Sequence, residues 1–270
     1  MKDDPVILTP DQHGLKQEDI AWEALRVLTR LDEAGYKAYL CGGGVRDLLL
    51  KRKPKDFDIA TDARPEEVKK LFRNCRIIGR RFKIVHVMSG PETIEVSTFR
   101  SSQEAESADT DEHGRVLRDN VWGPQEEDAV RRDFTINAMY YDPQTQIVVD
   151  YHNGFKDVKN RVIRMIGDPA TRYREDPVRI IRAVRFAAKL SPLGFSLEPK
   201  TAKPLIASQS LLADVPQSRL FDEMLKLLQT GHSLATIEQL KKLGMARGIY
   251  PLLDVVVERA DQPFVNAALQ

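Results

Sequence analysis

Apolar residues recur at helical spacing in residues 18–34, where Ile20, Ala24, Val27, Leu28 and Leu31 share a face. That period predicts an amphipathic helix, and Gly35 just beyond it predicts its C-terminal stop. Residues 36–44 then read as a short strand running into a glycine turn, and Val45–Leu50 opens a second helix. Residues 57–61 predict a strand, and residues 64–72 a helix with Pro65 in its first turn. Three β-like runs follow, at 76–79, 82–88 and 93–99. In the last, Ile94, Val96 and Thr98 alternate with Glu95, Ser97 and Phe99, the signature of a two-faced strand.

Residues 101–115 are polar and acidic without a period and predict a mobile loop. Residues 125–139 read as helical, 146–151 as a strand and 152–160 as its turn. Beyond about 165, helical patterns dominate at 177–189, 198–209, 216–229 and 233–243. The expected organisation is a polar leader over 1–17, an α/β head over 18–165 and an all-α neck or body over 166–270.

Composition narrows the class. The 270 residues carry 41 Lys and Arg against 40 Asp and Glu, so no global basic charge drives nucleic-acid binding; only local patches would. Two cysteines exclude a disulfide scaffold and fit a reducing cytoplasm. No apolar run approaches the ~18–20 residues of a membrane helix, so no membrane insertion is expected. The N-terminus lacks the apolar core of a secretion signal. The C-terminus stops on a helix-like stretch, which reads as one part of a longer protein.

Five features carry chemistry. Gly42, Gly43 and Gly44 between strand and helix suit an anion cradle, with Arg46 one turn in; a plain tight turn is the alternative. Asp56 and Asp58, two apart at a strand start, project together and favour a cation between them, or form a solvated pair. Glu95 matters only as a third carboxylate beside them. Arg131, Arg132 and Asp133, followed by Asn137, suit triphosphate binding or a charged helix end. Asp176 suits an N-cap and Pro177 a first helical turn. After them Arg179, Arg182 and Arg185 form one ridge, while Ile180, Val184 and Ala187 form a core stripe. Asp176 accepts and Arg179 donates hydrogen bonds, a combination able to read a base edge. Basic runs at Lys51–Lys55 and Arg80–Lys83 suit RNA phosphates or solvated loops. His86 and His113 have no metal-ligand partner at useful spacing.

The order GGGVRD, DFD, IEVSTFR, RRDFTINAM, NGFKD and EDPVRIIRAVRFAA, from about Tyr39 to about Leu228, resembles the class II nucleotidyltransferases. These comprise the bacterial CCA-adding enzymes and poly(A) polymerases, within the polymerase-beta-like superfamily. The resemblance implies a nucleotidyltransferase head with a mixed sheet, then a helical neck that selects the base without a template. It implies that Asp56 and Asp58 hold Mg²⁺, with Mn²⁺ as substitute, and that Glu95 adds a further carboxylate of the metal site. Asp133 falls in a motif near the catalytic centre. Gly43, Gly44, Arg46 and Arg132 match the nucleotide-binding positions, Asp176 and Arg179 the base-reading pair, and Arg182 and Arg185 a support of the triphosphate or of that pair.

Residues 76–87 are similar to the Gly-Arg-Arg-Phe signature of bacterial poly(A) polymerases, at Gly79, Arg80, Arg81 and Phe82. KPKDFDIAT and TRYREDPVR point the same way. The implied activity is template-independent AMP transfer from ATP to an RNA 3′-hydroxyl by two-metal chemistry, with pyrophosphate released. RNA-processing protein partners are left unidentified. The alternative within the family is a CCA-adding or A-adding tRNA enzyme. A catalytically dead RNA-binding relative is disfavoured by the intact carboxylates at 56, 58 and 133. A generic NTP hydrolase leaves the Asp176–Arg179 pair unexplained. Poly(A) polymerases of this type are longer, with a basic C-terminal tail; this nearly neutral chain departs from them there, which bears on RNA affinity rather than chemistry.

Overall fold

The computed structural model describes residues 4–79, 83–101, 121–229 and 233–243; Arg80, Arg81, Phe82, the expected loop from 102 onward and the C-terminal helix-like stretch lie outside them. The chain divides into two compact units between Val158 and Lys159.

The first unit holds strands β1 (Val6–Leu8), β2 (Ala38–Cys41), β3 (Asp58–Thr61), β4 (Cys75–Ile78), β5 (Ile84–Ser89), β6 (Glu92–Thr98), β7 (Met139–Asp142) and β8 (Ile147–Asp150). They form one sheet in the order β1-β8-β7-β2-β3-β6-β5-β4. Among these pairs only β3 and β6 run parallel, so the sheet is mixed as expected. Its helices are α1 (Pro10–His13), α2 (Trp22–Glu33), α3 (Gly43–Leu49), α4 (Pro65–Leu71), α5 (Gln125–Arg131) and α6 (Gly154–Asn160).

The expected apolar stripe does pack. Ala24, Val27, Leu28 and Leu31 are buried, and α2 lies on β2, β5 and β6. The helix ends as its sequence dictates: the Gly35 N–H donates to the Asp32 carbonyl (2.8 Å) and the Tyr36 N–H to that of Leu31 (3.1 Å). Its start is later than expected, because residues 17–19 form a separate 3₁₀ turn. Helix α4 covers β4, β5 and β6 beside it. Leu40, Ile59, Val96 and Val85 stand in register across four strands and are all buried. Each contributes about 1.5–3 kcal/mol by leaving water. On the other sheet face Cys41, Ala60, Phe99, Tyr140 and Ala129 of α5 form a second cluster. Phe99 and Tyr140 meet edge-on, with ring centres 6.1 Å apart.

Several expectations are corrected. The first 17 residues are not all a leader, since β1 pairs with β8 at the sheet edge. The helix expected over 125–139 stops at Arg131. Arg132 is extended (φ −64°, ψ 159°), and the Asp133 carboxylate accepts the Phe134 N–H (2.8 Å), diverting the backbone into a 3₁₀ turn at Thr135–Asn137 and then into β7. The turn after β8 is confined to residues 151–153, with Asn153 at φ 59°, and α6 follows. The Asp150 carboxylate anchors its start by accepting the Gly154 and Phe155 N–H groups, each at 2.9 Å. Helix α3 begins at Gly43, not Val45.

The second unit holds β9 (Val162–Ile163) and its parallel partner β10 (Ser196–Leu197). It is otherwise helical: α7 (Pro169–Glu175), α8 (Val178–Leu190), α9 (Pro199–Ala202), α10 (Leu205–Ser208), α11 (Gln217–Gln229) and α12 (Ser233–Lys242). The helix expected over 198–209 is split at Lys203 and Pro204, since proline cannot donate to the ladder. Helix α7 was not legible in the apolar period; its N-cap Asp168 accepts the Thr171 N–H at 2.9 Å. The stripe of Ile180, Val184 and Ala187 is buried, and α8 packs on α11 and α12.

Candidate active site

One row of residues crosses the first unit's sheet in register. Tyr140 stands opposite Cys41, Cys41 opposite Asp58, Asp58 opposite Glu95, Glu95 opposite His86, and His86 opposite Arg76. Paired positions share a sheet face, and neighbouring strands lie ~4.8 Å apart, so the row brings side chains together that are far apart in sequence. The row changes character at Asp58. Cys41 and Tyr140 are buried in the aromatic cluster, whereas the Glu95 side chain is 50% exposed. His86 Nε2 lies 3.1 Å from Glu95 Oε1.

Asp58 sits at that seam. Burial, then the neighbouring Glu95 carboxylate, raise its carboxyl from 3.8 to about 6, with Asp56 adding to the rise and Arg132 opposing it. Asp56 is not a strand residue, because β3 begins at Asp58; it reaches the same acidic group from the segment just before. Among the described residues no three Asp, Glu, His or Cys side chains converge as a ready-made metal site. The donor set nonetheless suits Mg²⁺, which typically takes one or two carboxylates and completes its shell with water and substrate phosphate. A cation would relieve the Glu95 and Asp56 charges that add to the rise of the Asp58 carboxyl.

The glycine turn abuts this seam. Gly42 has φ +71°, and a Cβ there would lie 3.3 Å from Asp58 Oδ2 and 3.8 Å from Arg132 Nη1. Only glycine gives this backbone while letting Asp58 and Arg132 approach so closely. A Cβ on Gly43 would meet Arg46 Nη2 at 3.2 Å, and one on Gly44 the Asp56 carbonyl at 3.3 Å. Arg46 itself is only 1% exposed. Its Nη1 donates to Asn137 Oδ1 (2.8 Å) and its Nε to Asp47 Oδ1 (2.9 Å). It therefore ties α3 to the 3₁₀ turn beneath the glycines, and Asn137 receives it.

Arg132 is the most connected cation of the site. It donates from Nε to the Tyr140 hydroxyl (3.1 Å), from Nη2 to Asp128 Oδ2 (3.2 Å) and from Nη1 to the Asn137 carbonyl (3.3 Å). The Tyr140 hydroxyl donates in turn to Asp128 Oδ2 (2.8 Å). Burial works against the Arg132 charge, but the surrounding Cys41, Tyr140 and Asp128 outweigh it and hold it protonated. Burial pushes the Cys41 thiol up to about 11, so it packs rather than reacts. Arg132 and Asp128 also line an open hollow with Ser97, Arg100 and Arg131. Sequence reasoning missed Asp128 and Tyr140; their spacing of four and eight residues from Arg132 was a signal only for an unbroken helix. Asp133 caps the turn as described, half-buried.

The second unit holds the remaining predicted residues. Asp176 does not cap α8: it ends α7, and α8 starts at Val178 after Pro177. Asp176 Oδ2 accepts from Arg219 Nη2 (3.1 Å), while its Oδ1 is buried without a partner. Arg179 Nη1 donates to the Arg172 carbonyl (3.0 Å) and to Glu175 Oε2 (3.1 Å). The arginine ridge is not an open face. Arg185 pairs with buried Glu223 of α11 at 3.2 Å, Arg182 approaches the same carboxylate at 3.9 Å, and both lie over the Phe186 ring. Of the basic run at 51–55, Lys51 is tied to the Gly14 carbonyl.

Residues 38–164 match the family described as the Poly A polymerase head domain, and residues 194–256 the probable RNA and SrmB-binding site of polymerase A. Poly(A) polymerase I of Salmonella typhi is 52% identical over 252 residues, covering 92% of this chain and 54% of that protein. The CCA-adding enzyme of Lactobacillus helveticus is 41% identical over 218 residues, covering 81% of this chain and 52% of that protein. A crystal structure of the Bacillus stearothermophilus CCA-adding enzyme with CTP superposes at a TM-score of 0.72 and 34% identity, over 87% of this chain and 55% of that one. The chain thus spans about half the length of these relatives.

Proposed function

The chain belongs to the class II nucleotidyltransferase family, and from that premise we propose that it transfers AMP from ATP to the 3′-hydroxyl of RNA, without a template, releasing pyrophosphate. The observation that carries this reading is the acidic group of Asp56, Asp58 and Glu95 set against the Gly42 turn and Arg132.

Asp56, Asp58 and Glu95 would hold Mg²⁺, or Mn²⁺ in its place. When bound, two such ions would activate the attacking hydroxyl and steady the charge of the departing pyrophosphate. The 3′-oxygen bonds to the α-phosphorus as the bond to the pyrophosphate oxygen breaks, in line. Gly43 and Gly44, at the start of α3, would let the triphosphate approach the backbone closely. Arg132, held protonated, offers a fixed positive charge beside Asp58, and Arg46 keeps the turn in place from below. Asp133 shapes the backbone between Arg132 and β7.

Asp176 supplies a free acceptor at the end of α7 and Arg179 a donor on α8, with Arg182 and Arg185 fixing α8 against α11. An acceptor facing the exocyclic group and a donor facing the ring nitrogen would match adenine and equally cytosine, and the opposite order would match uracil or guanine. The second reading, a CCA-adding or A-adding tRNA enzyme, is favoured by that tolerance and by the CTP-bound relative. The first unit, through Val158, would act as the catalytic head and the second, from Lys159, as the base-selecting, RNA-binding neck and body. Among the described residues no helix is long and apolar enough to cross a membrane. The two free cysteines suit a reducing cytoplasm as the chain's site of action.

Primer extension tests the choice. A short 3′-hydroxyl RNA given Mg²⁺ and one nucleotide at a time is expected to yield a long ladder with ATP alone. Two C and one A added to a tRNA lacking its end, with no ladder, would replace the reading with the second one.

A further inference from the structure

In-line displacement places the attacking and leaving oxygens on opposite sides of the phosphorus. The register row gives those two sides an address. On one side of Asp58 lie the Gly42 turn and Arg132, the groups that suit the triphosphate and its departing pyrophosphate, backed by buried Cys41 and Tyr140. On the other side lie Glu95, His86 and Arg76. With the leaving group on the Arg132 side, the nucleophile must arrive over β6, β5 and β4.

That half of the sheet is built to receive it. Helices α2 and α4 cover its opposite face, while on this face Glu95 and Arg76 are exposed and His86 is half-buried. Moving outward from Asp58, the row passes from acid through imidazole to guanidinium. Arg76 lies three strand spacings from Asp58, on the order of 15 Å. It has no ion-pair partner among the described residues, whereas Arg46, Arg132, Arg179 and Arg185 are each held by a carboxylate.

We propose that the β6–β5–β4 face is the track of the RNA strand whose 3′-hydroxyl attacks, and that Arg76 binds a phosphate of that strand upstream of its end. His86, hydrogen-bonded to Glu95, sits between the two and positions that carboxylate toward the incoming hydroxyl. This rests on the AMP-transfer reading. A charge on an edge strand such as β4 also discourages strand-to-strand aggregation, and that role makes a different prediction.

The test uses the full 270-residue chain, Arg76→Ala and Arg76→Lys, with 5′-fluorescein oligo(A) RNA, ATP and Mg²⁺. Arg76→Ala is expected to raise the KM for RNA about tenfold, with the KM for ATP unmoved and most of the loss restored by Arg76→Lys. Losing one phosphate contact also lowers the slope of log RNA affinity against log salt by about 0.7. An RNA KM within twofold of wild type overturns the proposal, as does an ATP KM that rises in step. Aggregation of Arg76→Ala with unchanged RNA affinity in the soluble fraction assigns Arg76 to edge protection and also overturns it. If the wild-type chain extends no RNA with any nucleotide, the AMP-transfer reading fails on its own. Fluorescence anisotropy with the same RNA then decides the track: tenfold weaker binding by Arg76→Ala upholds it, and equal binding, or none by either protein, overturns it.

Discussion

Asp58 and Glu95 stand opposite each other on β3 and β6, the one parallel pair among the described strands of the sheet, with Asp58 half-buried at the seam and Glu95 half in solvent. The pair is a site of stored unfavourable charge, and this fixes the sign of a pH effect. The Asp58 carboxyl titrates near 6 in the folded chain against 3.8 when exposed. Between those values the folded state keeps a proton that the unfolded state has lost. Stability from this group is therefore greatest below about pH 4 and is lost as pH rises through 6, by up to about 3 kcal/mol. Asp58→Asn removes that penalty. Without divalent cations, urea unfolding is expected to find the variant more stable than wild type at pH 8, by about 1–3 kcal/mol, and by about half as much at pH 5. The same variant is expected to transfer no nucleotide. A variant less stable at both pH values would mean that Asp58 is not under charge stress.

A cation acts on the same stress from the other direction. Millimolar Mg²⁺ is expected to raise the melting temperature of the wild-type chain more at pH 8 than at pH 5, because the carboxylates must ionise to bind it. Glu95→Gln should weaken this response and Asp58→Asn abolish it. A Mg²⁺ effect that is equal at both pH values, or that survives Asp58→Asn, would place the ion elsewhere.

The sequence made some of this legible and hid the rest for identifiable reasons. Periodicity showed the α2 stripe and the Glu95 face of β6, because burial on one side imposes a period on the chain itself. It could not show that His86 stands beside Glu95, because register between strands is set by pairing and not by either strand alone. The polar rhythm of Gln125–Arg132 ran on past the true helix end, since the Asp133 carboxylate that stops it is an ordinary helix-surface residue by type. The arginine ridge of α8 was visible, but its partner Glu223 lies 38 residues beyond Arg185, so a buried ion-pair surface read as an open one. The motif order, by contrast, pointed to the family because GGGVRD, DFD, IEVSTFR and RRDFTINAM string together residues that the first unit gathers at one seam.

Arg132 gives the third prediction. Its guanidinium holds Asp128 and Tyr140, and those two hold each other at 2.8 Å. Arg132→Ala would leave the Asp128 carboxylate largely buried without its cation, a change that typically costs about 3–5 kcal/mol. Asp128→Asn should cost less, because the amide still accepts from Tyr140. Denaturant unfolding of both single variants and the double is expected to be strongly non-additive, the double costing less than the sum. Additivity would mean that the contact is not an energetic unit. Arg132→Lys is expected to fold better than the alanine variant yet lose the hydrogen bond to Tyr140 or to Asn137, since an ammonium cannot span both directions.

Asp176 gives the last. Its Oδ2 is engaged by Arg219 at 3.1 Å, and its Oδ1 is buried with no partner. An unsatisfied buried acceptor is a liability to the fold, of about 1–3 kcal/mol. Removing it therefore returns part of what losing the Arg219 contact takes away, and Asp176→Ala is expected to change stability by no more than about 1 kcal/mol. Its effect on selectivity should be far larger. A site built to hydrogen-bond a polar edge discriminates strongly because the wrong edge leaves groups unpaired. Asp176→Ala should lower kcat/KM for ATP about 100-fold, which is about 2.7 kcal/mol, while leaving the values for GTP and UTP within a few-fold. The preference for ATP then collapses by loss of the right substrate rather than gain of the wrong ones. Separate kcat/KM measurements with the four nucleotides on one RNA primer check this. A uniform fall for all four would make Asp176 a general support of the helix junction, and an unchanged ATP value would leave the bare Oδ1 without a part in base selection.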